Sequence, residues 1–527
     1  MLPKKNGKFR GSCAKCVSKG VKAVGMKKID ATDYTVGVVG AGAMGQGIAQ
    51  VSAQGGMRTI ILDVKPGAAE AAKATIAGRL DRMVEKGRLS DTAAAAAKDS
   101  IEFVEEVSGL SDCDTVVEAV FEDIEVKQSL FKQIEDVVSD DCIIASNTSS
   151  IPIASIARAC RVKGRVAGLH FFNPVPIMKL VEVIRGPETE DAVAAALSEL
   201  GKRMTRIPVT VKDAPGFLVN LGGRAYTTEG LRIVHDAVAT PAQVDAIMRD
   251  CRHFRMGPFE LMDLTGIDVN FPVSLIVYEG YMQDPRIKTS PIHKALHDAG
   301  RLGRKTGAGW FQYGADGKPL PGDSPDHETD AAPAARVALA EDDAALAAFC
   351  AEIGLTVGAD DGSCPILAAP VGEDATTVAV RTGVDFRRLV AVDLLCDTAT
   401  RVTVMTAPGA DLSARDAVAA AIAASGRKVT AIKDSPGFVS QRMSAMVANL
   451  GTFMAEIGLA SPEDIDLAMK LGLNYPMGPL ELSAELGLKK HVQILEALQA
   501  MTGEDRYRPT SWLRRRALLD LPIDTPS

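Results

Sequence analysis

No stretch of this chain approaches the ~18 consecutive apolar residues of a membrane-spanning helix, so no membrane association is expected. There is no basic excess either. The formal net charge is −8, which offers no footprint for nucleic acid or for an anionic membrane surface. A disulfide framework is also lacking. The nine cysteines are an odd, scattered set, which suits reduced thiols in a cytoplasmic protein. Cys13 and Cys16 form a lone C-x-x-C. A zinc site of that type needs a second pair or a nearby histidine. With neither in place, the expectation is two ordinary thiols and no metal.

No secretory signal is expected. Residues 1–29 carry eight Lys and one Arg before the first acid, Asp30, without an apolar core. The Arg-rich amphipathic character of a transit peptide is missing too. Residues 1–30 are therefore expected to form a disordered basic tail, and Met26, followed by Lys27 and Lys28, is a candidate natural start. What remains is ordinary for a globular protein: 24% charged and 46% apolar. Its 527 residues suffice for a large core and roughly three to four domains of ~100–200 residues.

The first informative stretch follows the tail. A short apolar strand, Tyr34 to Val39, runs into Gly40-Ala41-Gly42-Ala43-Met44-Gly45 and then a helical pattern. A second strand, Thr59 to Leu62, ends at Asp63. This is G-x-G-x-x-G between a strand and a helix, with an acid about 20 residues on, the layout of a dinucleotide site. Gly40 makes the tight turn, Gly42 lets the backbone approach a pyrophosphate, and Gly45 packs helix on strand. The helix N-terminus offers N–H groups and a positive dipole end to the phosphates. Asp63 would take the ribose hydroxyls and repel a 2′-phosphate, which favours NAD over NADP. Without a ligand, the same residues are only a Gly-rich turn.

Strands and helices keep alternating. Pro66 to Arg88 and Val126 to Val138 read as helices, and Asp114 to Glu118 and Cys142 to Ser146 as strands. Asn147-Thr148-Ser149-Ser150 falls at the carboxyl end of a strand, where open α/β sheets place ligand contacts. The same tetrapeptide reads as a helix N-cap, and it can be both. Next comes His170 to Val183, HFFNPVPIMKLVEV: a strand, a Pro-interrupted loop and a second strand. Neighbouring strands would set His170 beside Glu182, as a general base with an orienting carboxylate. On this stretch alone, a core histidine near an unrelated surface glutamate is the commoner arrangement.

After Val211 the pattern turns helical, from Leu218 to about Val277, and Asp316 to Ala335 reads as a linker. Residues 212–270 then recur without gaps at 433–491. Lys212-Asp213-x-Pro215-Gly216-Phe217 matches Lys433-Asp434-x-Pro436-Gly437-Phe438, and Met256-Gly257-Pro258 matches Met477-Gly478-Pro479 at the same shift. Two motifs at one shift indicate a duplicated helical domain. Residues 336–432 look like a shrunken remnant of the first domain's end, without a Gly-rich fingerprint. The equivalent of His170 falls near Asp393 or Leu394, and Gln441 replaces Asn220. The second half is therefore expected to be catalytically silent and to pack a surface that a shorter relative would bury between subunits.

The expected fold is an α/β Rossmann domain (31–212), a helical domain (213–315), a linker (316–335), a degenerate α/β segment (336–432) and a second helical copy (433–527).

These motifs, VGVVGAGAMGQGIAQ, SNTSS, HFFNPVPIMKLVEVI, KDAPGFLVN, MGPFELMDLTGIDVN and GRLGRKTGAGW, run in one order from Val36 to about Tyr313. Together they resemble the bacterial long-form 3-hydroxyacyl-CoA dehydrogenases with a second C-terminal domain, the 3-hydroxybutyryl-CoA and 3-hydroxyadipyl-CoA types. The resemblance implies reversible NAD-dependent oxidation of an (S)-3-hydroxyacyl-CoA, short-chain or dicarboxylic. It implies His170 as general base, Glu182 as its partner, and Ser149 and Asn220 at the reacting oxygen. It implies an NAD site of Gly40, Ala41, Gly42, Ala43, Met44, Gly45, Asp63, Glu122, Lys127, Ser149, Asn173 and Lys305. One departure stands out: the family commonly has Arg after the Asn of PGF-x-x-N, where this chain has Leu221. The basic run Lys73 to Arg88 is a candidate for CoA, or a solvated helix face. A homo-oligomer through the helical domains is left open. The rivals are a related hydroxyacid or sugar-acid dehydrogenase and a dinucleotide-binding protein without catalysis.

Overall fold

The computed structural model describes residues 25–526. Cys13, Cys16 and most of the expected tail lie outside the described residues. Residues 25–30 do not continue the tail. The Gly25 N–H donates to Asp141 at 2.8 Å, and Lys27 pairs with Asp33 at 2.9 Å and Asp114 at 3.3 Å. Met26 and Ile29 pack on the core. Residues 25–30 thus pack with the first domain, because two apolar side chains amid the lysines find a surface to bury.

The first sheet holds eight strands: β1 (Thr35–Val39), β2 (Arg58–Leu62), β3 (Ile101–Val104), β4 (Thr115–Glu118), β5 (Ile143–Ser146), β6 (Val166–Phe171), β7 (Leu180–Arg185) and β8 (Ile207–Lys212). Their order is β3-β2-β1-β4-β5-β6-β7-β8. The pairs are parallel except β6 with β7. Its helices are α1 (Ala43–Gln54), α2 (Ala68–Glu85), α3 (Asp91–Asp99), α4 (Ile124–Val137), α5 (Ile153–Ala157) and α6 (Asp191–Arg203). Helices cover both faces, so the central strands are buried throughout and read as continuous apolar runs.

The first helical domain contains α7 (Val219–Gly222), α8 (Arg224–His235), α9 (Pro241–Arg252), α10 (Pro258–Thr265), α11 (Ile267–Gly280) and α12 (Pro291–Asp298). Breakers set its joints. Thr240 and Gln243 form a capping box and Pro241 takes the first position of α9.

The second half begins with β9 (Arg336–Leu339), α13 (Ala344–Glu352), β10 (Thr356–Val357), β11 (Ile366–Ala368) and α14 (Ala375–Thr382). It continues with β12 (Leu389–Val392), β13 (Arg401–Thr406), α15 (Leu412–Ala424) and β14 (Lys428–Lys433). The sheet order is β10-β9-β11-β12-β13-β14, again with one antiparallel pair, β12 with β13. The helical copy is α16 (Ser440–Glu456), α17 (Pro462–Leu473), α18 (Pro479–Leu486), α19 (Leu488–Thr502) and α20 (Ser511–Leu519).

The shift of 221 residues reaches further upstream than the sequence match, carrying β7, α6 and β8 onto β13, α15 and β14. The segment is also more than the first domain's end. Strand β9 lies between β10 and β11, as β1 lies between β2 and β4, with α13 in the place of α1. The remnant therefore keeps counterparts of β2 and β1 on one side and of β7 and β8 on the other, without the edge strand β3 and with fewer strands between. The 316–335 linker is laid down rather than free: the His327 N–H donates to the Val429 carbonyl at 2.7 Å, and Asp326 pairs with Arg401 at 2.8 Å.

The two helical copies exchange places. Helix α17 packs on β7 and β8 of the first sheet, while α9 packs on β13 of the second. The Lys212 N–H donates to the Leu459 carbonyl at 2.9 Å, and the Lys433 N–H donates to the Val238 carbonyl at 3.0 Å. These are one contact made twice with the halves swapped. The interface is not chemically symmetric. Arg442 meets buried Glu229 at 2.8 Å, beside Arg506 and Tyr507, whereas the equivalent positions, Leu221 and Leu450, are apolar and buried. The arginine that Leu221 displaces in the first copy is thus present in the second, as Arg442. Among the described residues no single helix is long and apolar enough to cross a membrane; the bent pair α10 and α11 passes that test only by joint length and composition.

Candidate active site

The dinucleotide fingerprint lies where β1 meets α1. Gly40 has φ +108°, and a Cβ there would stand 2.5 Å from the Ala119 carbonyl oxygen. A Cβ on Gly45 would stand 1.7 Å from the Gly40 oxygen, so helix and turn touch. At Gly42 a Cβ would meet nothing within 4 Å. That open space, over a helix N-terminus with no side-chain cap, fits a pyrophosphate held by backbone N–H groups. Gly40, Gly42, Ala43, Met44 and Asp63 line a groove of about 1070 Å³ with apolar walls that include Val120, Phe121 and Val126. The Ala41 N–H donates to Asp63 at 2.7 Å, fixing the carboxylate at the end of β2.

His170 and Glu182 stand directly opposite each other across the β6–β7 pair. His170 Nδ1 lies 2.7 Å from Glu182 Oε2, and both residues are buried. A carboxylate only accepts, so Nδ1 carries the proton and Nε2 presents its lone pair. The other oxygen, Oε1, accepts the Leu218 and Val219 N–H groups at 3.1 and 2.9 Å. These come from the N-terminal end of α7. Three donors and a helix dipole thus compensate a carboxylate that burial would otherwise penalise. Phe172 and Phe217 flank the imidazole, with ring centroids 4.6 and 6.0 Å away.

Ser149 and Asn220 meet across the cleft, the Asn220 amide donating to the Ser149 carbonyl at 3.2 Å. Glu122 gathers the loop: Thr148 Oγ1 donates to it at 2.6 Å, and the Ser149 and Ser150 N–H groups at 3.0 and 3.1 Å. Burial opposes its charge, but Thr148, Lys127 and these N–H groups win and hold its pKa below the usual carboxylate range. Lys127 differs from the expectation. It is buried, pairs with Glu118 at 2.6 Å and reaches Glu122 at 3.3 Å, and it does not line the groove. Asn173 is exposed in the β6–β7 loop. Lys305 lies on the helical domain, 2.5 Å from Asp268, and does not line the fingerprint groove. In the basic run, Arg79 donates to Gln46, while Arg82, Lys86 and Arg88 are exposed.

Comparison with known proteins identifies the family. The family model for the 3-hydroxyacyl-CoA dehydrogenase NAD binding domain matches residues 35–214. The model for the 3-hydroxyacyl-CoA dehydrogenase C-terminal domain matches twice, at 216–313 and 437–521. The chain belongs to the 3-hydroxyacyl-CoA dehydrogenase family. It is 36% identical over 486 residues to the 3-hydroxyadipyl-CoA dehydrogenase of Escherichia coli K12, covering 92% of this chain and 98% of that one. A crystal structure of a 3-hydroxybutyryl-CoA dehydrogenase from Escherichia coli K12 matches with a TM-score of 0.80, at 36% identity and the same coverage. The probable 3-hydroxybutyryl-CoA dehydrogenase of Deinococcus radiodurans is 39% identical over 53% of this chain and 99% of its own length. The protein is an NAD-dependent 3-hydroxyacyl-CoA dehydrogenase.

The second half of the dehydrogenase carries the same positions with other chemistry. Asp393 takes the place of His170, since its N–H pairs with Thr403, and Thr403 takes that of Glu182. Asp393 Oδ2 and Thr403 Oγ1 are buried without a hydrogen-bond partner, and burial pushes the Asp393 pKa up. The Gln441 amide, unlike that of Asn220, is fully occupied by Asp393, Pro370 and Gly372. At the fingerprint's counterpart, Asp343 caps α13 by accepting the Ala345 and Leu346 N–H groups, so a carboxylate of the chain fills the anion position.

Sequence reasoning missed three parts of the site. The α7 N–H groups on Glu182 gave no signal beyond the Pro215-Gly216 break that starts that helix. Buried Glu118, which holds Lys127 and also accepts Ser146 Oγ at 2.6 Å, looked like an ordinary strand end. The aromatic flank, Phe172 and Phe217, was visible only as apolar residues.

Proposed function

We propose that His170 is the general base of the dehydrogenase, taking the C3 hydroxyl proton of an (S)-3-hydroxyacyl-CoA through Nε2. The observation that carries this is the 2.7 Å contact of Nδ1 with Glu182, itself anchored to α7. Bound NAD supplies the hydride acceptor. Glu182 fixes the tautomer and stabilises the imidazolium that forms. Ser149 and Asn220 hold the C3 oxygen and position the C3 hydrogen. Phe172 and Phe217 keep water from the imidazole. The reverse reaction returns the proton from His170 to a 3-ketoacyl thioester.

The NAD site in this reading consists of the fingerprint residues, Asp63 and Glu122, with Lys127 positioning Glu122. Asn173 and Lys305 join it when the helical domain closes on the sheet. The acyl group is short or carries a distal carboxylate, matching the substrates in the relatives' names.

The test is NADH formation, followed at 340 nm, with 3-hydroxybutyryl-CoA, 3-hydroxyadipyl-CoA, the corresponding free acids and a sugar acid. Turnover confined to the CoA thioesters is the expected result. Turnover of a free acid alone would overturn the reading.

A further inference from the structure

Arg224 is a cation without a carboxylate. Among the described residues no Asp or Glu lies within ion-pair distance of it, although it begins α8 one turn after Asn220. Its Nε donates to the Asn220 carbonyl at 3.0 Å and its Nη1 to Ser274 Oγ at 2.7 Å. The same nitrogen reaches the Asn270 carbonyl at 3.4 Å. These bonds lock the guanidinium between α8 and α11. Nη2 makes no hydrogen bond to the described residues and is not among the fully buried unpaired atoms, so it keeps some contact with solvent. Burial lowers the pKa of the group to about 10, which still leaves it charged at neutral pH. The surrounding groups do not neutralise it. Asn270 and Ser274 are neutral, and His293, hydrogen-bonded to Asn270 at 2.6 Å, has its pKa pushed down to about 3 by burial and by Arg224 itself.

A largely buried, pre-oriented arginine with a free donor edge suits a carboxylate. Its place gives the scale. Asn220 would hold the C3 oxygen, and the Arg224 side chain folds back over the same turn, its Nε 3.0 Å from the Asn220 carbonyl. An acyl chain passing that turn would bring a carboxylate a few carbons beyond C3, such as one at C6, within reach of the guanidinium. The neighbouring face of α11 offers the chain apolar contacts: Val269, Pro272, Val273 and Ile276 follow at helical spacing and are partly or fully exposed.

We infer that Arg224 recognises a carboxylate at the far end of the acyl chain, so that the enzyme selects 3-hydroxydicarboxylyl-CoA thioesters over monocarboxylic ones of equal length. This rests on the proposed function. Asn220 sets the reacting end, and Arg224 measures the distance to the other. A butyryl chain ends too early to reach it, and a hexanoyl chain arrives without the charge.

The experiment compares kcat/KM for 3-hydroxyadipyl-CoA and 3-hydroxyhexanoyl-CoA in the wild type, R224M and R224K. The wild type is expected to prefer the diacid by at least about tenfold, the worth of one charge-assisted hydrogen bond. R224M should abolish that preference, chiefly through KM for the diacid, and R224K should keep part of it. NADH binding to each variant, read by fluorescence, reports whether the fold is intact. If the wild type shows no preference for the diacid while oxidising both, the inference is overturned and the proposed function stands. A wild type that oxidises neither thioester overturns the proposed function. If R224M lowers both thioesters equally, Arg224 only braces α8 against α11 and Asn220, and the inference also fails.

Discussion

The two halves of this chain repeat one plan and put opposite chemistry into it. In the first half, a histidine across a strand pair from a glutamate is satisfied through Nδ1, and Nε2 has no partner among the described residues. In the second, Asp393 and Thr403 occupy the same positions, buried and each with an oxygen unpaired. At the fingerprint the contrast repeats: α1 begins on a bare glycine, α13 on a carboxylate that fills its own N-terminus. A catalytic site therefore differs from its scaffold by which polar groups are left free, and the second copy has used or buried all of them.

The comparison can be broken most decisively at His170. His170→Gln is expected to lower kcat by about 10³-fold or more, the worth of a lost general base, with NADH binding unchanged. Near wild-type turnover would place the base elsewhere. Glu182→Gln should lower kcat by about 10²-fold, because the amide can still accept from α7 but cannot stabilise the imidazolium. Unchanged turnover would reduce Glu182 to a helix cap.

Arg442→Leu tests the ionic side of the interface. It removes one of the two arginines on Glu229, leaving Arg506 at 3.2 Å and the Tyr507 hydroxyl, and should cost about 1.5–3 kcal/mol in urea denaturation. Adding Glu229→Leu should deepen the loss, since buried Arg506 then has no carboxylate. Restored stability in the double variant would mean that the ionic cluster is dispensable and the arginine acts through packing.

Asp393→Asn sharpens the contrast between live and dead pairs. Burial raises the Asp393 pKa in the folded state. Its stabilising contribution is full below the unfolded carboxylate pKa and is lost as pH rises through the folded value. The amide removes that loss. Thermal stability should therefore increase at pH 8, by about 1–2 kcal/mol, and the gain should shrink toward pH 4, with turnover unaffected. A gain independent of pH would argue against a titrating Asp393. The smallest effect belongs to Asp343→Ala, about 1 kcal/mol for a lost N-cap. Calorimetry should still find one NADH bound per chain, and a second site would show that the cap alone kept the remnant silent.

Much of this was legible in the sequence. The fingerprint was readable because glycine spacing reports close backbone approach directly, and the His170–Glu182 pair because alternating strands put opposite residues together. The repeat was readable where breakers such as Lys-Asp-x-Pro-Gly-Phe mark helix starts. Other parts were not. Lys127 was expected to line the NAD site, and nothing in the sequence announces that Glu118 is buried beside it and holds it. The upstream reach of the duplication was hidden because β9 and α13 keep only topology, with Asp343 standing where a glycine would have signalled kinship. Met26 and Ile29 were lost among lysines.

One consequence follows from the contact made twice, Lys212 with Leu459 and Lys433 with Val238. Two separate chains joined about such an axis would present every residue on both sides. A change in one place would be a change in two, and their pairing would weaken on dilution. Joining the halves through residues 316–335 removes both constraints. The effective concentration of one helical copy for the other is set by the tether, so the pairing persists however little enzyme is present. Each side of the axis can also evolve alone, which is why Arg442 can face Glu229 with no counterpart of either charge at the equivalent positions.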